Sequence, residues 1–429
     1  MARPLALPIS LHLYRAVGRV APPFLWAFLR RRLKKGKEDA KRLPERWGRA
    51  SLPRPAGTLV WLHAASVGET MSILPLVGRL VEAGRKVLLT SGTVTSAALA
   101  ASRLPEGAVH QFVPLDLPGA AKRFLSHWQP DLAVFCESEL WPTLMIETQR
   151  QGIPLGIING RMSERSAKGW ARAPKIAKTL LGGLAFCLAQ SRIDSARYSQ
   201  LGAPSQFTGN LKFDAPPLPV EMAELDALDR LIGQRPVFLA ASTHPGEEAL
   251  VLDAAAALRD VEPELLTVIV PRHPARSAEI VDLCRKGGMM PAVRSAGEEP
   301  DDRQMLYIAD TLGELGLFYS VATVAFIGGS LVPIGGHNPI EPARLAAPIV
   351  HGPETHNFAD IFAELDAASA AVRIANAAEL APAVAVLLKN QQIRDTLIAH
   401  AKRIVSANEG ALATTLATIE GVLSAGQSA

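Results

Sequence analysis

The chain has 429 residues, of which 48% are hydrophobic and 20% charged, and its formal net charge is +4. This length predicts two or three domains with large apolar cores, and the composition excludes an intrinsically disordered chain. Three cysteines, none at C-x-x-C spacing, exclude a disulfide framework and argue against a zinc ribbon or a thioredoxin-type site. No uncharged apolar run reaches 18 residues, so the sequence contains no clear membrane-spanning helix.

Positive charge is concentrated near the N-terminus. Lys and Arg outnumber Asp and Glu by 14 to 3 within residues 1–54, whereas the rest of the chain carries 31 basic and 38 acidic side chains. The segments Pro4–Leu13 and Val20–Leu29 are apolar, and six Arg and Lys residues follow the second one. Trp26 and Phe28 are suited to a lipid headgroup boundary. The pattern favours a helical segment lying on an anionic membrane surface, with an amphipathic helix packed on the protein itself as the alternative. It is not typical of a nucleic-acid-binding protein.

From residue 58 onward, short β-branched runs alternate with helical stretches, which predicts parallel sheets with helices on both faces. The first set of predicted strands is Thr58–Ala65, Lys86–Thr90, Val109–Leu115, Asp131–Cys136, Pro154–Ile158 and Ala185–Ala189. The second set is Pro236–Ala240, Leu265–Val270, Met305–Ile308, Thr323–Ile327 and Pro348–Val350. The Pro-rich stretch Asp214–Pro219 separates the two sets and is the best candidate for a linker.

This order predicts an α/β protein with two doubly wound, Rossmann-like domains. Residues 1–50 are assigned to the basic and apolar N-terminal segment, residues 51–215 to the first domain and residues 216–429 to the second. The Ala-rich tail from Ala377 to Leu423 is predicted to be helical, and its last helix can pack back on the first domain. Two such domains joined by a linker are expected to bind a ligand in the cleft between them.

Polar clusters occur at three points of the first predicted domain. Ser66 and Glu69 have the S-x-x-E spacing of a helix capping box, and a carboxylate such as Glu69 at a helix N-terminus can also act as a general base. Glu137 and Glu139 follow directly on an apolar strand, where one carboxylate can be a first-turn helix charge and two together favour a functional site. Lys212 lies just before the linker, where it is either a solvated surface charge or a group that both domains can reach.

The second predicted domain carries the strongest cluster. Arg272 and His273 leave a strand between two prolines, and Gly328–Ser330 leaves another, where its backbone amides can approach a phosphate. Arg272 adds a cation suited to the same group. Several strand exits with glycines, Arg and His together are what an anionic nucleotide needs, so the sequence predicts a nucleotide site here.

Helix capping within the second domain can explain some of these polar residues without a bound ligand. Thr311 and Glu314 have the spacing of a capping box, and in the run that follows Asn338 can be the N-cap, with Pro339 at N1 and Glu341 at N3. The sequence lacks the P-loop, the G-x-G-x-x-G fingerprint after its first strand, the G-x-S-x-G elbow and the H-E-x-x-H motif. It also lacks a tight Asp/His metal cluster. These absences argue against P-loop enzymes, dinucleotide-dependent enzymes, serine hydrolases and zincins.

Six runs in order along the chain resemble one known family. HAASVGE, ESELWP, TGNLKFD, PRHP, GELG and GGHNPIEPA closely resemble motifs of the 3-deoxy-D-manno-octulosonic acid (Kdo) transferases, and the resemblance extends over nearly the whole chain. It implies the two-domain glycosyltransferase B fold, an acceptor-binding first domain and a CMP-Kdo-binding second domain. It further implies transfer of Kdo from CMP-Kdo to the lipid A precursor lipid IVA, with neither a cofactor nor a metal, at the cytoplasmic face of the inner membrane.

The resemblance also assigns residues. The family's catalytic base falls on Glu69, and two groups associated with transition-state stabilisation fall on Glu139 and Lys212. The positions that match the family's CMP contacts are Pro271, Arg272, Leu312, Gly313, Glu314, Asn338, Pro339, Ile340 and Glu341.

Three other functions share some of these features. Another two-domain sugar-nucleotide enzyme, such as a UDP-sugar transferase or epimerase, would need a similar base and ribose carboxylate. Donor binding distinguishes it from a Kdo transferase, because it would bind UDP instead of CMP. A membrane-anchored nucleotide-binding adaptor would not need Glu69, Glu139 and Lys212 together. An NAD-dependent oxidoreductase is disfavoured by the missing glycine fingerprint.

Overall fold

The computed structural model describes residues 7–214, 217–301 and 304–427. The chain divides into two units, of which the first comprises Met1–Ala215 with Asn408–Ala429 and the second Pro216–Ala407. Each unit is built on a seven-stranded sheet in which all neighbouring strands are parallel. Two parallel-sheet α/β units confirm the predicted fold class at this level.

Two helices precede the first sheet. They are α1 (Ile9–Val20) and α2 (Pro22–Lys34), and a 3₁₀ turn, Leu43–Trp47, follows them. Leu11 of α1 is buried in the core of the first unit, and Arg15 forms an ion pair with Glu147. Within the three described ranges of the chain, no helix combines the length and the apolar character that a membrane span requires.

The first sheet has the strand order β3-β2-β1-β4-β5-β6-β7. Its strands are β1 (Leu59–His63), β2 (Lys86–Ser91), β3 (Ala108–Phe112), β4 (Leu132–Cys136), β5 (Leu155–Gly160), β6 (Phe186–Ala189) and β7 (Ser205–Phe207). The helices that connect them are α3 (Val67–Glu82), α4 (Val94–Arg103), α5 (Pro118–Trp128), α6 (Pro142–Arg150), α7 (Glu164–Ala171), α8 (Pro174–Leu181) and α9 (Arg192–Gln200), and a 3₁₀ turn over Leu211–Asp214 ends the segment. Strands β1, β4 and β6 are buried throughout, as expected for a parallel sheet covered on both faces.

The second sheet has the order β10-β11-β9-β8-β12-β13-β14. Its strands are β8 (Val237–Thr243), β9 (Leu266–Pro271), β10 (Ala292–Val293), β11 (Leu306–Ile308), β12 (Val324–Ile327), β13 (Ile349–His351) and β14 (Val372–Arg373). Its helices are α10 (Met222–Ile232), α11 (Glu247–Leu258), α12 (Ser277–Lys286), α13 (Leu315–Val321), α14 (Ile340–Arg344), α15 (Ala359–Ala367), α16 (Leu380–Lys389) and α17 (Gln391–Asn408), with 3₁₀ turns at Pro274–Arg276, Arg294–Ala296 and Ala377–Glu379.

The last helix, α18 (Ala411–Gln427), packs on the first unit. Its Ile419 and Leu423 lie in the core formed by one face of the first sheet. Arg85 donates hydrogen bonds to Glu420, and the carboxylate of Asp214 accepts the backbone N–H groups at the start of α18. The C-terminal helix therefore closes one face of the first sheet.

Both sheets contain a point where the strand order reverses, and ligands of doubly wound sheets bind at such points. In the first sheet it lies between β1 and β4, and in the second between β8 and β12. The carboxyl ends of these strands therefore locate the candidate site in each unit.

Candidate active site

Glu69 lies in the first turn of α3, directly after β1. Its Oε2 accepts a hydrogen bond from the backbone N–H of Ala65 at 2.8 Å, and its Oε1 accepts one from the hydroxyl of Ser66 at 2.8 Å. The same hydroxyl oxygen accepts the N–H of Glu69 at 3.2 Å. These contacts form the predicted capping box, except that the carboxylate accepts the N–H of Ala65, one residue before the N-cap Ser66. Each carboxylate oxygen keeps a second lone pair, so capping does not prevent Glu69 from accepting a substrate proton.

The surroundings of Glu69 favour uptake of a proton. Only 9% of the residue is exposed, and burial, followed by the charge of Glu137, raises the pKa of Glu69 above its ordinary value. A carboxylate whose pKa lies closer to the working pH is a stronger general base. Glu69 therefore has both the position and the basicity for proton abstraction at the edge of the first sheet.

Glu139 lies in the segment between β4 and α6. Its Oε2 accepts a hydrogen bond from the indole N–H of Trp141 at 2.8 Å and lies 3.8 Å from Nε2 of the buried His63. Burial alone would raise the pKa of Glu139, but the contacts with His63 and Trp141 outweigh it and lower that pKa. Glu139 is therefore held as a carboxylate, in contrast to Glu69.

The sequence motifs assign no role to His63, although it is the first residue of HAASVGE. It ends β1, is fully buried, and lies beside β2, where its Nδ1 is 3.0 Å from the hydroxyl oxygen of Thr90. The available signal was an imidazole at the end of an otherwise apolar strand, Leu59–His63. Its second nitrogen faces Glu139, so His63 links two of the motifs.

Glu137 is a second residue at this edge of the sheet to which the family resemblance assigns no role. It follows β4 directly and has a φ of 57°, a left-handed backbone conformation that is uncommon for a residue with a side chain. Its N–H donates to the carbonyl of Ile158 at 3.0 Å, and its carbonyl accepts from the hydroxyl of Tyr198 at 3.1 Å. These contacts hold the turn, and the Glu137 carboxylate lies 3.3 Å from Nζ of Lys212.

Lys212 lies in the 3₁₀ turn Leu211–Asp214, whose Leu211 and Phe213 side chains are buried. The turn is fixed to the sheet because Oδ1 of Asn159 accepts the N–H of Leu211 at 3.0 Å. The first unit thus brings Glu69, Glu139 and Lys212 to one edge of its sheet, together with Glu137.

In the second unit, β9 ends at Pro271 and the exposed Arg272 follows. The N–H of Arg272 donates to the carbonyl of Thr243 at 3.0 Å, which ties the exit of β9 to that of β8. His244, the next residue after β8, belongs to no sequence motif, yet its Nε2 lies 2.8 Å from Nε2 of His337. An isolated histidine after an apolar run carries little signal by itself.

The expectation that the amides of Gly328–Ser330 bind a phosphate is wrong. The carboxylate of Glu247 accepts the N–H groups of Gly329 at 2.6 Å, Ser330 at 3.1 Å and Leu331 at 3.0 Å. The N–H of Gly328 donates to the carbonyl of Ala241 at 2.8 Å. A side chain more than 80 residues away in sequence already occupies this anion-binding turn, so it has no free donors for a ligand.

The capping box proposed for Thr311 and Glu314 is also not formed as predicted. Helix α13 begins at Leu315, and Glu314 is its N-cap without a side-chain capping bond. The Glu314 carboxylate instead accepts two hydrogen bonds of 2.6 Å from the guanidinium of Arg294, which lowers the pKa of Glu314. Thr311 donates its hydroxyl proton to the same carboxylate. The preceding turn leaves Leu312 82% exposed and Gly313 at a φ of 90°, a value that favours glycine.

The start of α14 differs from the predicted cap by one residue. The helix begins at Ile340 with Pro339 as its N-cap, whereas Asn338 was predicted for that position. Asn338 still bonds to the helix, since its Oδ1 accepts the N–H of Ile340 at 3.1 Å and its Nδ2 donates to Oε1 of Glu341 at 3.1 Å. Burial raises the pKa of Glu341.

No group of three or more His, Cys, Asp and Glu side chains in the described part of the chain is arranged to hold a metal ion.

The chain is similar in sequence to proteins of one known family. A family model described as 3-deoxy-D-manno-octulosonic-acid transferase (kdotransferase) matches residues 41–215. The 3-deoxy-D-manno-octulosonic acid transferase of Haemophilus influenzae is 34% identical over 409 residues, which are 93% of this chain and 95% of that protein. The chain belongs to the Kdo transferase family.

One solved structure agrees with the fold of this Kdo transferase family member, and a second is similar in sequence to part of the chain. A glycosyltransferase from Rickettsia africae is similar over 86% of this chain and 99% of its own, with a TM-score of 0.54 and 13% identity, which shows a shared fold. The C-terminal CMP-Kdo binding domain of WaaA from Acinetobacter baumannii is 33% identical, with a TM-score of 0.41, and it covers 43% of this chain and 98% of its own.

Proposed function

We propose that this Kdo transferase family member moves Kdo from CMP-Kdo to lipid IVA, with inversion at the anomeric carbon and with Glu69 as the general base. One observation carries the proposal. Glu69 is buried, its pKa is raised, and it follows β1 where the strand order of the first sheet reverses. The donor and the acceptor are inferred from the six sequence motifs. The similarity to a Kdo transferase over 93% of the chain supports Kdo as the transferred sugar.

In the proposed reaction, a carboxylate oxygen of Glu69 takes the proton from a hydroxyl group of the acceptor sugar. The oxygen left by that proton forms a bond to the anomeric carbon of Kdo. The bond between this carbon and the phosphate oxygen of CMP breaks, and its electron pair stays on the phosphate. Attack from the face opposite the leaving group inverts the anomeric carbon. Positioning of the two substrates and general-base catalysis together lower the barrier.

Charged groups near the reacting atoms are proposed to stabilise the developing charge. Lys212 provides a cation beside Glu137, and Glu139 stays ionised because of its contacts with His63 and Trp141. These groups favour charge separation in the transition state. A metal ion is not needed for this assignment, because the side chains themselves carry the charge.

The second unit is proposed to bind the CMP part of the donor. Arg272 is exposed at the end of β9, where its guanidinium is available for a phosphate. Glu341 offers a carboxylate, oriented by Asn338, that can accept hydrogen bonds from ribose hydroxyls. The remaining proposed contacts are Pro271, Leu312, Gly313, Glu314, Pro339 and Ile340.

We place the protein at the cytoplasmic face of the inner membrane, held by α1 and α2. Seven large apolar side chains on these helices are exposed, namely Ile9, Leu13, Val17, Val20, Phe24, Trp26 and Phe28. Six basic side chains beside them are exposed as well, namely Arg19, Arg30, Arg31, Lys34, Lys35 and Lys37. Apolar side chains with interfacial aromatics and a basic flank suit an anionic lipid surface. The predicted segment before residue 7 lies outside the described residues.

Mass spectrometry of the product tests the reaction. Full-length protein is incubated with lipid IVA and CMP-Kdo, and the expected product is lipid IVA heavier by one or more Kdo groups, with release of CMP. A parallel reaction with a UDP-sugar in place of CMP-Kdo is expected to give no product. Transfer from the UDP-sugar, with none from CMP-Kdo, would replace this proposal by that of a UDP-sugar transferase.

A further inference from the structure

Three histidines meet at the carboxyl edge of the second sheet. His244 follows β8, His273 follows β9, and His337 lies in the loop before α14. The rings of His244 and His337 are nearly parallel, at 4°, with Nε2 of one lying 2.8 Å from Nε2 of the other. The ring of His273 is perpendicular to that of His244, with centroids 6.2 Å apart. None of the three histidines is among the positions that match the family's CMP contacts, whereas the neighbouring Arg272 is.

The contact between the two Nε2 atoms limits their protonation. A hydrogen bond of 2.8 Å between two ring nitrogens requires one N–H and one lone pair. The ring that donates through Nε2 is neutral only if its Nδ1 has no proton, so it can take up one proton there and keep the hydrogen bond. A second proton on the pair would set two N–H groups against each other. The His244–His337 pair can therefore carry one positive charge, but not two.

The charged groups around the pair decide whether that charge is present. Arg272 and His273 face it from the exit of β9, and the positive charge of Arg272 disfavours protonation of the pair. Burial lowers the pKa of His337 to about 4, and the pKa of His244 is lowered as well. The pair is therefore neutral near pH 7 in the free protein.

Acidic groups nearby offset this effect only in part. The charge of Glu248 raises the pKa of His244, but Arg276, which is bound to that carboxylate, lowers it. Glu247 accepts the N–H of His244 at 3.0 Å as well as the three amides after β12, and Glu248 is bound by the guanidinium of Arg276. The carboxylate of Glu341 accepts from Asn338. An anion that approached Arg272 would therefore be the group that makes protonation of the histidine pair favourable.

We infer that the His244–His337 pair, with Arg272 and His273 beside it, is the subsite for the donor's phosphate, and that it takes up one proton from solvent when the phosphate of CMP binds. This inference rests on the proposed function, in which CMP is the leaving group. The phosphate carries one negative charge in CMP-Kdo and acquires a second as it leaves. A neutral pair that gains a proton at this moment supplies a matching positive charge.

Calorimetric titration of the full-length protein with CMP tests the inference. Titrations at pH 7.5 in two buffers with different ionisation enthalpies give the number of protons taken up per CMP bound. We expect an uptake that approaches one proton with CMP and none with cytidine, which lacks the phosphate. Uptake that is equal for CMP and cytidine, or absent for CMP, would overturn the inference.

Three variants sharpen the test. His337→Gln and His244→Gln each break the pair, so both should abolish the proton uptake and weaken CMP binding about ten- to a hundredfold, with cytidine binding unchanged. His400→Gln, a histidine on α17, should keep the uptake of the wild type. Thermal melting identifies any variant that fails to fold, and the second pair variant then gives the answer. Unchanged proton uptake in a folded variant of the pair would refute this inference but leave the proposed function intact. A wild-type protein that does not bind CMP would overturn both the proposed donor and the inference.

Discussion

The Nζ atom of Lys212 lies 3.3 Å from Oε1 of Glu137. This ion pair joins the 3₁₀ turn at the end of the first sheet to the exit of β4, in the same region as Glu69. The charge of Lys212 is thus partly balanced by Glu137, whereas Glu139 is bound by Trp141 and faces His63. The two glutamates of ESELWP therefore have different partners and are expected to behave differently when replaced.

Replacement of Glu69 by Gln should remove the base but keep the cap. The amide retains an oxygen that can accept from Ser66, so the fold should survive, and turnover should fall by about 10²–10⁴, the usual range for loss of a general base. Transfer of Kdo measured by mass spectrometry, together with a thermal melting curve, checks this.

Ser66→Ala is the matched control for the cap. It removes the hydroxyl that bonds to Glu69 but leaves the carboxylate, so it should cost about 1 kcal/mol of stability and retain most of the turnover. Near-normal turnover in Glu69→Gln would show that Glu69 is only a capping residue.

Glu137→Gln should move the acid limb of the pH–rate profile to lower pH. The Glu137 charge is one cause of the raised pKa of Glu69, so its removal lowers that pKa, and Glu69 then stays ionised at a lower pH. The measurement is kcat/KM between pH 4 and 8, relative to the wild type.

Glu139→Gln serves as the comparison for this profile. Its charge is a smaller cause of the raised pKa of Glu69 than that of Glu137, so the acid limb should move less. An acid limb that stays in place in Glu137→Gln, or moves further in Glu139→Gln, contradicts the assignment.

Arg272→Ala should weaken the binding of CMP more than that of cytidine. A charge-assisted hydrogen bond to phosphate contributes about 1.5–3 kcal/mol, which corresponds to about a 10- to 150-fold loss of affinity. Calorimetry with both ligands measures the difference. Arg285→Ala, an exposed arginine on α12, is the control and should bind CMP as the wild type does. Equal affinity for CMP in Arg272→Ala and the wild type would remove Arg272 from the phosphate site.

Arg15→Met should destabilise the first unit, because it leaves the largely buried carboxylate of Glu147, 14% exposed, without its main partner. Breaking a buried ion pair costs about 3–5 kcal/mol, and Arg150 at 3.6 Å from the same carboxylate should keep the cost near the lower end. Arg79→Met breaks an exposed pair with Glu82 and should cost about 0–1 kcal/mol. Urea denaturation measures the free energy of unfolding of both variants. Similar losses of that free energy would show that the Arg15–Glu147 contact of α1 does not stabilise the fold.

Replacement of two exposed aromatic residues should release the protein from lipid. Phe24 and Trp26 are 79% and 49% exposed, so Phe24→Asp with Trp26→Asp removes apolar contact area and adds negative charge without disturbing the core. Sedimentation with anionic vesicles should show binding at least about tenfold weaker. Met290→Asp, an exposed methionine of the second unit, is the control. Unchanged sedimentation of the double variant would place the membrane contact elsewhere.

The sequence predicted the central strands and the edge strand β3, and it missed the edge strands β7, β10 and β14. Parallel strands buried on both faces are recognisable as short apolar runs, and β1, β4, β8 and β9 lie within one to three residues of the predicted bounds. The edge strand β7 has three residues, and β10 and β14 have two each. Strands this short lack an apolar run of their own, because pairing with a neighbouring strand defines them.

Local patterns were reliable where the partner is close in sequence. Ser66 and Glu69 are three residues apart, so helix geometry alone brings them together, and the capping box is present. The same spacing at Thr311 and Glu314 failed, because Arg294 binds Glu314 with two charge-assisted hydrogen bonds. A partner 20 residues away was not visible in the pattern.

The sequence by itself determined the α/β class, the cap at Glu69 and the motifs that identify the family. The tertiary structure alone decided which charged groups meet: Lys212 with Glu137, Glu247 with the amides after β12, and His244 with His337. The reason is physical. Hydrogen bonds within a helix turn depend on spacing along the chain, whereas these contacts depend on the order of strands in a sheet, which brings the ends of β8, β9 and β12 together although dozens of residues separate them.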